Sequence, residues 1–321
     1  MTGARRLWFA ALAVAACHDD QDAVVDAGNT DASVDAVAAD ASVDTLSVCG
    51  ANAPLPCPPL TYATWRMPSP PGVPSSATAT YVLTAATATE TTSGLTWQRG
   101  FTEKKTWADA KQYCEELELE GRGDWRVPSR IELVSLVDFT RLPSIDQEAF
   151  PNTANDYFWS SSPTANGTVY AFSVYFGAGL TAFGQTAGPS GHVRCVRGGG
   201  PGVLPRYDIT SATVFDRNTL LTWQRNILDQ ELVWESAKDY CAGLKNGWRL
   251  PSTKELQTIV DETKQQPAID AALFPNTPAA LFWTATPVNK SGLMNYVFVD
   301  VRDGTTEEAG MSEAHWVRCV R

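Results

Sequence analysis

Gly123-Asp124-Trp125-Arg126-Val127-Pro128-Ser129-Arg130-Ile131-Glu132-Leu133 returns 123 residues later as Asn246-Gly247-Trp248-Arg249-Leu250-Pro251-Ser252-Thr253-Lys254-Glu255-Leu256. In both copies a serine follows a proline, and a glutamate stands three residues beyond the serine. That spacing predicts a helix N-cap with its reciprocal capping box: the serine oxygen accepts from the third amide, and the glutamate reaches back to the serine amide. Leu133, Leu136 and Val137, and then Leu256, Ile259 and Val260, continue each copy as an apolar stripe at helical spacing. The chain writes one fold twice.

Working outward, each copy opens on Leu-Thr-Trp-Gln-Arg, at 95–99 and 221–225. Upstream, 212–218 reads as a strand and tight turn, and the Thr-rich stretch 85–94 reads the same way. A first helix is predicted to bury Trp107, Ala110, Cys114 and Leu117, echoed by Trp234, Ala237, Cys241 and Leu244. Thr106 with Asp109 caps the first copy, whereas Val233 stands at the matching place and has no oxygen to offer. After the Pro-Ser helix both copies carry Ile-Asp, a Phe-Pro-Asn-Thr turn (150–153, 274–277) and a Phe-Trp strand start (158–161, 282–285). Strand composition follows at 170–176 and 296–301, and each copy closes on Val-Arg-Cys-Val-Arg, at 193–197 and 317–321. One bridge per repeat, Cys114–Cys195 and Cys241–Cys319, is the pairing that respects the duplication. Each closes a loop of about 80 residues, worth about 4 kcal/mol on the chain-entropy account.

The 321 residues suffice for two cores. Arg5 and Arg6, a short apolar run and Cys17 read as a signal peptide (1–16) ending in Val14-Ala15-Ala16, which resembles a lipobox with Cys17 as the lipidated residue. An ordinary secretory signal with an incidental cysteine is the alternative. His18 follows Cys17, so the aspartate that favours inner-membrane retention is absent from that position, and the outer membrane or cell surface is the expected address. Residues 17–48 are Asp, Ala, Val and Ser with eight aspartates and no lysine or arginine, which reads as a disordered tether. Residues 49–80 form a Pro-rich stem in which Cys49 and Cys57 are expected to pair. Residues 81–197 and 207–321 are the repeats, and 198–206 is a Gly/Pro linker. The formal charge of -11 draws neither nucleic acid nor another polyanion through the net field.

Leu-Thr-Trp-Gln, Trp-x-x-Ala-x-x-Tyr-Cys, Gly/Asp-Trp-Arg-Val/Leu-Pro-Ser, Phe-Trp-Ser/Thr and Val-Arg-Cys-Val fall in one order, twice. The repeat resembles the family named for the C-terminal domain of the Lcl adhesin. The resemblance implies an α+β fold of two tandem C-type-lectin-like domains, each with two helices, short twisted antiparallel strands and one helix-to-last-strand disulfide. It also implies exported, often lipid-anchored proteins and, in the name-giving adhesin, trimers that bind sulfated host glycans. This chain departs from that adhesin in having no collagen-like repeat and an acidic body. The calcium-dependent sugar motifs of true C-type lectins are missing too, so no metal site and no cofactor are expected.

The chemistry-bearing residues are few. His18 lies in the tether, and His192 and His315 precede the closing strands at offsets that differ by one. No His-Glu-x-x-His, paired Cys-x-x-Cys or Gly-Lys-Ser/Thr phosphate cradle occurs. Arg126 and Arg249 read as stacking on the neighbouring tryptophan and binding carbonyls. Function is expected where the copies differ. That selects Asn155, Asp156 and Asn166 in the first repeat and Asn289, Lys290 and Asp303 in the second as ligand-binding candidates. Tyr157, Tyr170, Tyr175 and Tyr296 are the candidate aromatic platforms for a glycan or envelope polymer. The reading is a surface-tethered, non-catalytic binding or adhesion module. An exported enzyme or accessory on a formylglycine-generating-enzyme-like scaffold, and a structural envelope lipoprotein, are the alternatives.

Overall fold

The computed structural model of the chain describes residues 63–64, 80–199, 202, 204–290 and 293–321, without the side chains of 289, 290 and 293. Cys17, His18, Cys49 and Cys57 lie outside the described residues. The first repeat runs β1 (Tyr81–Leu83), β2 (Thr87–Glu90), β3 (Thr96–Gln98), α1 (Trp107–Glu115), α2 (Arg130–Ser135), β4 (Tyr157–Thr164), β5 (Gly167–Tyr175), β6 (Leu180–Gln185) and β7 (Val196–Arg197). The second runs β8 (Tyr207–Ile209), β9 (Thr213–Asp216), β10 (Leu221–Gln224), β11 (Leu232–Val233), α3 (Trp234–Gly243), α4 (Thr253–Gln257), β12 (Leu281–Lys290), β13 (Leu293–Asp300), β14 (Thr305–Gly310) and β15 (Ala314–His315). The result is a mixed α+β architecture of short helices and short, mainly antiparallel sheets.

Both capping boxes form, with Ser129 accepting from Glu132 N–H and Ser252 from Glu255 N–H. Thr106 caps α1 through Asp109 N–H, and Val233 leaves α3 without a side-chain cap. Each repeat is built around an antiparallel hairpin sheet, β4-β5-β6 or β12-β13-β14. Alternation sends successive side chains to opposite faces. Phe158, Val174 and Phe176 therefore pack with Ile131, Leu133 and Val134 on one side, while Trp159 and Ala171 pack with Trp107, Ala110 and Cys114 on the other. The second repeat copies this, with Phe282 and Val299 beside Leu256 and with Trp283 beside Trp234 and Cys241. Both long hairpins shift register at the same place, between Trp159 and Pro163 and between Trp283 and Pro287. A proline cannot donate to the ladder, which accounts for a bulge there.

The two disulfides among the described residues are Cys114–Cys195 and Cys241–Cys319. The expected closing strands are shorter than their composition implied. Only β7 pairs with β3, and its counterpart is reduced to bridges from Val320 to Trp223 and Arg249. Gln98 and Gln224 take over part of the ladder: their amide oxygens accept from Cys195 and Cys319 N–H. Leu244, expected on the buried face of its helix, is the C-cap and stands 38% exposed. Ala63, within the span read as stem, is fully buried with Ala88, Leu95 and Trp97, so the first core reaches back past residue 81.

Both repeats belong to one compact unit. Thr181 of β6 donates its N–H to Thr306 of β14 at 2.7 Å, each being the second residue of its strand, so the repeats meet about a local pseudo-twofold. Beside it lies a buried polar network that is not symmetric. Arg130, at 0% exposure, donates to Glu262 at 2.8 Å and to the Gln257 side chain at 2.6 Å. The motif partner of Arg130 is Thr253, which instead bonds Thr284 and Thr286 within its own repeat. Lys254 crosses in return to cap α2 through Ser135 O at 2.9 Å, and burial pushes its ammonium down to about 8. Burial pushes the Glu262 carboxyl up more than the Arg130 guanidinium draws it down.

Candidate functional site

The shared motif residues are spent on the fold. Arg126 forms a bidentate pair with Glu132, both contacts at 2.7 Å, and Arg249 does the same with Glu255 at 2.7 and 2.8 Å. The glutamate thus serves the capping box and the arginine together. Stacking on the neighbouring tryptophan falls instead to the last residue of each copy, Arg197 over Trp125 and Arg321 over Trp248. This corrects the stacking expected of Arg126 and Arg249, while the expected carbonyl contacts form, to Gly198 O and Leu250 O, both at 3.2 Å. A planar guanidinium finds a better match in a carboxylate's two oxygens than in a ring face. Arg194 and Arg318 are buried without a carboxylate. Each binds two carbonyls of the Gln-Arg segment and a threonine hydroxyl, Thr153 or Thr277, over Phe150 or Phe274. Burial pushes both guanidinium groups down to about 9.

The histidines sit differently in the two repeats because of their offset. His192 bridges to Phe158, and the matching bridge in the second repeat is Phe282 to Trp316. His192 Nδ1 lies 2.6 Å from Thr102 O, its ring packs on Phe101 and Phe158, and Nε2 faces Asp156 at 3.9 Å. Among the described residues no hydroxyl hydrogen-bonds this imidazole. His315 corresponds to Gly191 and lies on Trp283 and Phe298; burial depresses its pKa. All four described cysteines are in disulfides, and among the described residues no group of three His, Cys, Asp or Glu side chains is arranged for a metal.

The six ligand-binding candidates are not brought together. Asn155 is exposed, and Asp156 beside it pairs with Lys104 at 2.7 Å. Burial raises the Asp156 carboxyl, but Lys104, the Tyr157 amide and His192 overcome this and hold it below the usual carboxylate range. Asn166, at the β4–β5 turn, accepts from Gln265 of the other repeat at 2.7 Å. Asn289 and Lys290 end β12, and their side chains lie outside the described part. Asp303 caps the β13–β14 turn through Thr305. Tyr296 cannot be a platform: it is 8% exposed and stacks on Trp234 at 3.7 Å. Tyr170 packs edge-on against Phe183. Tyr157 and Tyr175 are cross-strand partners with centroids 4.9 Å apart, and Tyr157 is 41% exposed.

One surface was not foreseen. Phe139, Arg141 and Leu142 of the first repeat face Pro287, Val288 and Met294 of the second across a cleft of about 490 Å³. Leu142 is 76% and Met294 50% exposed. Its pseudo-symmetric mate is a smaller space of about 200 Å³ beside Glu262 and Pro163, where Gln265 and Asn166 join the repeats. A sign of it was present in the motif alignment. Leu142 stands where the other copy has Gln266, each before a proline, and Phe139 where it has Glu262, so apolar residues replace polar ones at one junction only.

No helix among the described residues is long and apolar enough to cross a membrane. No curated protein matches the chain. The model of the Lcl C-terminal domain matches residues 86–197 and again residues 212–321, so the chain belongs to the Lcl C-terminal domain family and carries two tandem copies of its domain.

Proposed function

We propose that this protein is a non-catalytic binding module, tethered by a lipid on Cys17 at the outer membrane or cell surface, whose ligand is a glycan or another envelope polymer. The observation that carries the reading is the division of labour between residues. Side chains common to the repeats, such as Arg126, Arg194, Trp97 and Trp159, are consumed by internal partners or the core. Side chains that differ, such as Tyr157, Leu142 and Met294, stand open. His192 commits Nδ1 to a backbone carbonyl and meets no hydroxyl among the described residues, which favours binding over hydrolysis. The low aspartate-rich charge of the first residues suits a solvated tether between anchor and domains.

The test is an array of glycans and envelope polymers probed with the whole, detergent-solubilised chain, alongside fractionation of Cys17→Ser. Saturable binding to a polymer class, with the Cys17→Ser protein released from the membrane fraction, is the expected outcome. Failure on every polymer with turnover of one of them would replace this reading with an enzymatic one.

A further inference from the structure

We propose that the Tyr157–Tyr175 pair of the first repeat is a stacking platform for an uncharged pyranose unit of a glycan. The inference rests on the binding reading above and assigns it a place and a ligand class. The pair joins the first residue of β4 to the last of β5 by cross-strand register, so the backbone fixes both rings. Their planes differ by only 34°, and Tyr175 rests on Gly177, where a Cβ would come within 2.3 Å of the ring. Any larger residue at 177 would displace the tyrosine.

The other tyrosines of this scaffold behave differently. Tyr113 and Tyr240 accept from Gln98 and Gln224, and Tyr81 and Tyr207 pack against the two cores. Neither hydroxyl of the Tyr157–Tyr175 pair meets a partner among the described residues, and the rings are absent from the second repeat. There Leu281 takes the place of Tyr157, and Asp300, locked to Arg302, takes that of Tyr175.

The chemistry selects the ligand. An aromatic face is electron-rich and attracts the polarised C–H face of a pyranose, while phenolic hydroxyls and the exposed Asn155 serve its hydroxyl rim. Asp156, which precedes Tyr157, is neutralised by Lys104 at 2.7 Å, so this ion pair offers an anion no net attraction. The chain's charge of -11 opposes a polyanion further.

The experiment titrates the whole, detergent-solubilised chain with neutral tetrasaccharides of glucose, galactose, mannose and N-acetylglucosamine, and with heparin and a proline-rich peptide as counter-probes. At least one neutral tetrasaccharide should bind. Tyr157→Ala should weaken it about tenfold or more, Tyr157→Trp should retain it, and Leu281→Ala should leave it unchanged. Denaturation midpoints of the variants guard against misfolding. Equal affinity in Tyr157→Ala, or binding of the peptide in place of every saccharide, overturns the platform. Heparin binding that Tyr157→Ala leaves untouched removes this site and spares the general reading, whereas silence from every probe removes both.

Discussion

The first and second repeats agree at the side chains that clamp and cap each domain from within, and part company mainly at the exposed surfaces and along the seam between them. Ser129 and Ser252 cap with the same geometry, Glu132 and Glu255 clamp the same arginine, and Arg194 and Arg318 sit on the same phenylalanine. At the mouth of the hairpin sheet the first repeat presents two tyrosines packed at a tilt, and the second a leucine and an ion-paired aspartate. Between the repeats one junction is closed by Gln265 and Asn166, and its mate is left open under Leu142. Duplication thus supplied two equal scaffolds, and divergence was confined to the surfaces and to the seam.

The seam offers the hardest blow to that comparison. Arg130→Met strands Glu262 in a buried site and should cost about 3–5 kcal/mol, while Arg130→Met with Glu262→Leu should recover most of it. Chemical denaturation of the single and double variants checks this; a silent single variant would mean the repeats do not depend on the seam. The missing cap sharpens the same comparison at a smaller scale. Thr106→Ala should cost about 1 kcal/mol, and Val233→Thr should return a comparable gain by giving the second repeat the cap it lacks. Denaturation shifts of similar size and opposite sign are expected.

Much of this was legible in the sequence, for identifiable reasons. The capping boxes, α1, the Phe-Trp strands and both disulfides rest on local spacing and on a duplication that checks itself. The seam was not legible, because Arg130 and Glu262 are 132 residues apart and their motif partners, Thr253 and Phe139, point to no shared contact. The closing strands misled because β-rich composition does not reveal that Gln98 and Gln224 side chains replace ladder partners. The candidate residues Asn166 and Asp303 looked like free turns, and each has an internal partner, one crossing the seam and one capping a hairpin.

His315 gives the second repeat a pH response. Burial lowers its folded pKa below the unfolded value near 6.5, so the neutral form is favoured in the fold. The stability it contributes is present above that value and is lost as pH falls through the folded pKa. Thermal midpoints taken from pH 7.5 downward should sag in wild type and sag less in His315→Phe. The depressed carboxylates Asp138, Asp156 and Asp261 act only in a more acidic window. An identical pH profile in the variant would show that the His315 site takes up its proton freely. The smallest effect belongs to Asn155→Ala, an exposed position expected to stay within about 0.5 kcal/mol of wild type.

The claim that shared residues hold the fold and unshared ones hold the ligand is tested most directly by pairing a denaturation midpoint with a binding isotherm for Trp125→Ala and Tyr157→Ala, using a neutral tetrasaccharide. Trp125→Ala should lose about 3–5 kcal/mol of stability, while the folded fraction binds with unchanged Kd. Tyr157→Ala should keep its midpoint and lose affinity. A stable Trp125→Ala protein that fails to bind, beside a Tyr157→Ala protein that binds normally, would contradict the account and move the site onto the shared Trp-Arg motif.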